Sequence, residues 1–215
     1  MKNVLFFDLD GTLTDSGLGI MNSVKYSLNK FGIKEEDEKT LKSFIGPPFT
    51  EMVKEYYGFT QEEAIKAIGY YREYFTDKGI FENSLYQGVK EVLKNLKNAG
   101  KSIYLATSKP TVFAEKILKY FDIYKYFDGV YGAMLDGSLM HKDDIIKFAL
   151  DSEKVDVNNA VMIGDRRYDV EGGKKFNLTT VGVLYGYGDK EELQKAGADY
   201  IVDSAEQLEK ILMEI

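Results

Sequence analysis

Short runs of apolar and β-branched residues recur along this chain, separated by longer stretches in which apolar positions return every three or four residues. The runs are VLFF (4–7), SIYLA (102–106), AVMI (160–163), TTVGVL (179–184) and DYIV (199–202). Continuous apolar runs of this length suit strands buried on both faces, as in a parallel sheet. Between them, GVKEVLKNLKNAG (88–100) places Val89, Val92, Leu93 and Leu96 on one helical face and stops at Gly100, and DDIIKFALDSEK (143–154) supplies another helix. Alternation of strand and helix predicts an α/β fold with an open, doubly wound parallel sheet.

Residues 16–84 break this rhythm. They hold helical stretches at 19–32, 49–58 and 61–75 and no convincing strand, and they predict an inserted α-helical cap domain within a core formed by 1–15 and 85–215. Ile45-Gly46-Pro47-Pro48 is a stiff turn inside the insertion, because the residue before each proline is pushed out of the α region. Internal repeats and low-complexity tracts are absent from the sequence.

Composition narrows the chemistry. At 215 residues with 44% apolar and 29% charged positions, the chain can bury a core without disulfide or metal staples. It has no cysteine and one histidine, His141, so thiolate nucleophiles, iron–sulfur clusters and histidine-rich zinc sites are all excluded. Plentiful carboxylates point to hard cations with oxygen ligands. A net charge of −7 without a long basic run argues against nucleic acid polymers and anionic membranes as partners and favours a small-molecule substrate. The VLFF run, cut off by Asp8, is too short for a signal peptide, and a cytoplasmic location is expected.

Acidic or hydroxyl residues stand directly after three of the expected strands: Asp8 and Asp10 after VLFF, Thr107 and Ser108 after SIYLA, and Asp165 after AVMIG. In a parallel open sheet the carboxyl ends of the strands share one edge, which is where ligands bind. Two like charges about 4 Å apart repel by about 4 kcal/mol at an effective dielectric near 20, so gathered carboxylates call for a cation such as Mg²⁺. Asp8 and Asp10 are two apart and share a face of an extended segment; Asp165 and Asp169 are four apart and share one on a helical turn. Taken singly, Asp10-Gly11 also reads as turn chemistry and Asp165 as a helix cap.

At these positions the chain resembles, over its whole length, the haloacid dehalogenase superfamily of aspartate-nucleophile phosphotransferases. Phe7-Asp8-Leu9-Asp10-Gly11-Thr12 is similar to the first motif of that family, Ala106-Thr107-Ser108-Lys109-Pro110 to the second, Lys142 to the third, and Gly164-Asp165-Arg166-Arg167-Tyr168-Asp169 to the fourth. The helical insertion resembles the family's small cap, and the stretch from Val183 to Leu208 resembles phosphoglycolate-phosphatase-like and 5′-nucleotidase-like members.

The resemblance implies a Mg²⁺-dependent phosphomonoester hydrolase acting on phosphoglycolate, a nucleoside monophosphate or a sugar phosphate. Asp8 would be the nucleophile that forms an aspartyl phosphate and Asp10 the general acid and base. Asp8, Asp10 through its backbone carbonyl, Asp165 and Asp169 would serve the metal. Gly11, Thr107, Ser108 and Lys142 would bind the phosphoryl group, and Gly46 and Pro47 would set specificity from the cap. Asp143, where the family commonly has proline, leaves Lys109 as a competitor for the role of Lys142. Arg166 and Arg167 read as solvated, and Tyr56, Tyr57, Tyr70, Tyr71 and Tyr74 as packing residues of the cap. A sugar phosphomutase is the alternative within the same chemistry and a phospho-signalling receiver the alternative outside it, while Asp10 argues against dehalogenation.

Overall fold

A computed structural model describes residues 2–215. Contacts divide the chain into two compact units: one runs up to Asp15 and resumes from Leu85 to Ile215, and the other is Ser16–Ser84.

The first unit is built on a six-stranded sheet of β1 (Val4–Phe7), β4 (Ser102–Pro110), β5 (Gly129–Ala133), β6 (Ala160–Gly164), β7 (Thr179–Val183) and β8 (Tyr200–Val202), in the order β5-β4-β1-β6-β7-β8. The short strands β2 (Thr14–Asp15) and β3 (Ser84–Leu85) mark where the chain leaves the unit and returns. Every pairing in the six-stranded sheet is parallel, and Phe7 of β1 lies level with Leu105 of β4 and Ile163 of β6. Side-chain alternation sends Phe6, Ala106 and Met162 to one face, where they pack with Ile145, Ile146, Ala149 and Leu150 of α7 (Lys142–Glu153). Leu5, Phe7, Ile103, Leu105, Val161 and Ile163 alternate with them and are just as buried, which is why these strands read as unbroken apolar runs.

Of the flanking helices, α5 (Val89–Asn98) buries Val89, Val92, Leu93 and Leu96 and packs with α10 (Ala205–Glu214), while α6 (Thr111–Tyr120) covers β4 and β5. The helix α8 (Arg167–Lys175) lies on β6 and β7, close enough that a side chain at Gly173 would come to 2.8 Å from Thr180 Cγ2 and 3.0 Å from Met162 Cβ. The short helix α9 (Lys190–Lys195) completes the unit.

Two expectations change. The SIYLA strand does not stop at Ala106: it runs to Pro110, with a register shift against β5 between Thr107 and Pro110, so Thr107 and Ser108 lie within the strand at its irregular end. The strand Gly129–Ala133 (GVYGA) escaped the sequence pattern because two glycines interrupt its apolar run.

The second unit is helical: α1 (Gly17–Asn29), α2 (Glu38–Ser43), α3 (Phe49–Tyr57) and α4 (Gln61–Tyr74), the last continued by a π-helical turn Phe75–Gly79. The Thr60 and Glu63 side chains form a reciprocal capping box that starts α4, and Gly58 at φ 67° ends α3 in the left-handed conformation. The sequence pattern missed α2 because its six residues, EKTLKS, bury only Leu41. Tyr57 stacks on Phe44, Tyr71 on Phe75, Tyr70 meets Phe31 edge-on and Tyr74 packs on Tyr26, while Tyr56 packs on Phe44 and stays 45% exposed. Gly46 (φ 107°) and Pro47 form the turn that leads through the Pro48 cap into α3. Among the described residues, no helix is long and apolar enough to cross a membrane.

Two glycine substitutions of opposite sign test this packing. Gly173→Ala is expected to destabilise by about 1–3 kcal/mol, because the added methyl overpacks the α8–sheet contact. Gly69→Ala, in the exposed middle of α4 where a Cβ meets nothing within 4 Å, is expected to stabilise by about 0.5–1 kcal/mol. Urea unfolding midpoints read both, and equal midpoints for the two variants would contradict this packing.

Candidate active site

Asp8 stands immediately after β1 and Asp165 immediately after β6, and parallel pairing of these neighbouring strands brings the two positions to the same sheet edge. Asp169, in the first turn of α8, completes a buried cluster: one carboxylate oxygen each of Asp8, Asp165 and Asp169 lie within 4.8 Å of one another. Asp165 is fully buried and Asp169 nearly so, at 1% exposure.

Two glycines make this density possible. Any Cβ at Gly11 would collide with the Asp165 carboxylate, and Gly11 also holds φ 82°, which side-chain-bearing residues rarely adopt. A Cβ at Gly164 would collide with the Asp169 carboxylate.

Two buried lysines answer the acidic charge. Lys142 Nζ lies 2.7 Å from Asp8 Oδ1 and 2.8 Å from Asp169 Oδ1, and donates a hydrogen bond to the Ala106 carbonyl at 2.9 Å. The three N–H groups of the ammonium are enough for the Ala106 carbonyl and for one oxygen each of Asp8 and Asp169. Lys109 Nζ pairs with Asp10 Oδ2 at 3.0 Å. The choice between Lys142 and Lys109 therefore dissolves geometrically, since both are at the site and each serves a different aspartate. Both are buried, at 7% exposure. The Asp10 carboxylate lies outside the three-carboxylate cluster, held by Lys109.

Burial dominates the electrostatics. Desolvation, followed by the charges of Asp169 and Asp8, pushes the Asp165 carboxyl well above its ordinary range. Desolvation also raises Asp169, to about 6, with Lys142 pulling the other way. Burial alone would lower Lys142, but the Asp169 and Asp8 charges outweigh it and hold the ammonium above its usual range. Asp165 thus carries the least compensated charge. It accepts hydrogen bonds from Thr12 Oγ1 (3.2 Å) and from the Tyr187 backbone N–H (2.8 Å). It does not cap the following helix; the Arg166 N–H donates instead to Asp169 Oδ2 at 3.1 Å.

The remaining predicted positions fall as follows. Thr107 is buried and its hydroxyl accepts from the Lys109 N–H at 3.3 Å; Ser108 is half-buried. His141 is exposed. Arg166 is not freely solvated: its Nε pairs with Glu192 at 2.9 Å, whereas Arg167 lies over the Tyr168 ring. Sequence reasoning missed the loop after β7. Tyr187 reaches Asp165 through its backbone, and Gly186 and Gly188 press against Asp165 so closely that neither has room for a side chain. The GYG spacing at 186–188 was its one visible signal.

A three-carboxylate donor set offers only oxygen, which suits a hard divalent cation. The same edge provides a carboxylate paired with one lysine, Asp10 with Lys109, and a second buried lysine, Lys142, beside Asp8 and Asp169.

Comparison with known proteins identifies the family. The sequence profile described as Haloacid dehalogenase-like hydrolase matches residues 5–183. A protein of Pseudomonas aeruginosa named 5′-nucleotidase is 42% identical over 190 residues, spanning 88% of this chain and 86% of that one. Tyrosine-protein kinase PtkA of Mycobacterium tuberculosis is 36% identical over 203 residues, spanning 94% of this chain and 69% of the kinase. The crystal structure of a "predicted phosphatase" from Clostridium acetobutylicum superposes with a TM-score of 0.97 at 51% identity, covering the whole of both chains. The chain belongs to the haloacid dehalogenase-like hydrolase family and is one of its phosphatases.

Proposed function

We propose that the protein hydrolyses small phosphomonoesters with Mg²⁺, through a phosphoryl group carried transiently on Asp8. The observation that carries this reading is the convergence of Asp8, Asp165 and Asp169 within 4.8 Å beside the buried ammonium of Lys142. Asp8, Asp165 and Asp169 would hold the metal, together with the Asp10 carbonyl. Bound there, Mg²⁺ would neutralise phosphoryl charge and align the phosphate for in-line displacement.

In the first step an Asp8 carboxylate oxygen bonds to phosphorus as the bond to the leaving oxygen breaks, and Asp10 gives its proton to that oxygen. In the second, water attacks phosphorus, Asp10 takes the water's proton, and the Asp8 carboxylate is released with inorganic phosphate. Lys109 holds Asp10 in place for both steps. Lys142 orients Asp8 and offsets the incoming phosphate charge, and Thr107 and Ser108 donate to phosphoryl oxygens, whereas the Gly11 N–H is already given to the Thr14 carbonyl at 2.8 Å. A nucleoside 5′-monophosphate is the substrate class to favour, because a relative named 5′-nucleotidase is 42% identical over 88% of the chain.

Asp8→Asn is expected to lower phosphate release from nucleoside 5′-monophosphates by at least about 10³-fold with the thermal midpoint retained, because the amide cannot attack phosphorus. Wild-type turnover in this variant would reject Asp8 as the nucleophile. Free phosphate as the product, rather than an isomerised sugar phosphate or a phosphorylated tyrosine, separates hydrolysis from transfer to another hydroxyl.

Asp10→Ala is expected to cost about 10²–10⁴-fold in turnover with a smaller change in KM, since the proton carrier acts in the transition state. A rise in KM alone would assign Asp10 to binding instead.

Mg²⁺ at about 100 times its dissociation constant is expected to stabilise the chelator-treated protein by about 2.7 kcal/mol, a rise in thermal midpoint of roughly 5–10 °C. Asp165→Ala should abolish the rise; a rise that survived this substitution would place the cation elsewhere.

A further inference from the structure

The loop after β7 is joined to the carboxylate cluster at one end of Tyr187 and to the chain's exit and return segments at the other. The Tyr187 backbone N–H donates to Asp165 Oδ2 at 2.8 Å, and its phenol donates to Asp15 Oδ1 at 2.7 Å. Asp15 is the last residue before the chain leaves for the helical unit. The Tyr86 hydroxyl, one residue after the return at Leu85, is in hydrogen-bond contact with the Tyr187 hydroxyl. Since the single phenolic proton of Tyr187 goes to Asp15, Tyr86 is the donor in that contact.

The neighbouring residues stiffen this connection. Tyr185 packs its ring against Tyr86 with centroids 5.1 Å apart, and the Tyr86 N–H donates to the Leu13 carbonyl at 3.1 Å, joining return to exit. On the other side of Tyr187, Gly186 lies against the Gly11 carbonyl and the Asp165 side chain, and Gly188 against the Asp165 carbonyl, each too close for a Cβ. A backbone packed this tightly has no slack, so a shift at the phenol end is passed to the amide that holds Asp165. Burial and the Asp15 charge hold the Tyr187 phenol well above its usual range, so it remains a donor at neutral pH.

We propose that Tyr187 is a positioning residue that ties the orientation of the Asp165 carboxylate to both segments attaching the helical unit, Asp15 on the way out and Tyr86 on the way back. The proposal rests on the reading of Asp165 as a metal ligand. It adds that metal affinity and the order of the two segments are linked, and linkage is reciprocal: whatever loosens the segments weakens metal binding, and metal binding orders the segments.

Calorimetric titration with Mg²⁺, and amide hydrogen exchange at residues 13–16 and 85–87 with and without Mg²⁺, test this in the full chain. Tyr187→Phe and Asp15→Ala are each expected to raise the Mg²⁺ dissociation constant about 5-fold. The double variant should go no further than either alone, and Asp15→Asn, which keeps an acceptor oxygen, should stay within about 2-fold of wild type. Mg²⁺ should slow exchange at both segments in wild type and leave it unchanged in Tyr187→Phe. The exchange measurement separates positioning from general destabilisation, which would speed exchange with or without the ion. Unchanged Mg²⁺ affinity in both single variants, or effects that multiply in the double, would overturn the proposal while leaving the metal site standing. Absence of Mg²⁺ binding to wild type would overturn the metal reading itself, and the proposal with it.

Discussion

The energetic constraint on this fold is the cost of bringing carboxylates together out of water. Asp8, Asp165 and Asp169 are all under 9% exposed, and desolvation is the foremost effect on both Asp165 and Asp169. Lys142 answers part of this by lying between Asp8 and Asp169, and Lys109 answers Asp10. Four carboxylates facing two ammonium groups leave an excess of two negative charges when all are ionised, and among the described residues the Asp165 carboxylate accepts from a hydroxyl and a backbone N–H. An excess of that size, on an oxygen-only donor set, matches one divalent cation.

The sheet is what makes the gathering possible. Parallel register places Phe7, Leu105 and Ile163 side by side, so residues just beyond them in three distant stretches of sequence arrive at one edge without any local signal requiring it. Asp8 and Asp165 were therefore legible as soon as the apolar runs were read as neighbouring strands. Strand existence was legible for VLFF and AVMI, where burial on both faces enforces unbroken hydrophobicity. It was not legible for Gly129–Ala133, an edge strand whose glycines carry no hydrophobic signal. Lys142 and Lys109 resisted assignment for a related reason: a lysine's spacing gives no sign of whether its ammonium faces water or a buried carboxylate. The GYG loop was the least visible component, because it acts through a backbone N–H and through the absence of side chains at Gly186 and Gly188.

Membership of the haloacid dehalogenase-like hydrolases fits a site whose parts come from the sheet. The carboxylates, both lysines and Thr107 all belong to the unit that contains the sheet. The insertion is held together by its own aromatic contacts, such as Phe49 with Tyr71 and Phe44 with Tyr57, and by the buried bond from Ser27 Oγ to the Ala67 carbonyl at 2.7 Å. A unit with its own core can vary in sequence without disturbing the carboxylate cluster. Relatives within the same family carry names as different as 5′-nucleotidase and tyrosine-protein kinase.

Asp8 and Asp10 show how two identical side chains two residues apart are given different environments. Period-two alternation alone would leave them as neighbours repelling each other. The sheet ends at Phe7, however, and the chain turns at Gly11 with φ 82°, so each aspartate meets a different cation: Asp8 the lysine that begins α7, Asp10 the lysine near the end of β4. Those lysines differ in their other partners. Lys142 also serves Asp169 and the Ala106 carbonyl, which fixes it within the cluster, whereas Lys109 lies outside the three-carboxylate group. A multiply paired cation holds Asp8 within the cluster, while the Asp10 carboxylate is held apart from it by a cation of its own. The distinction between the two aspartates is thus made by which lysine the fold delivers to each, a property of the sheet and α7 rather than of the motif that contains both residues.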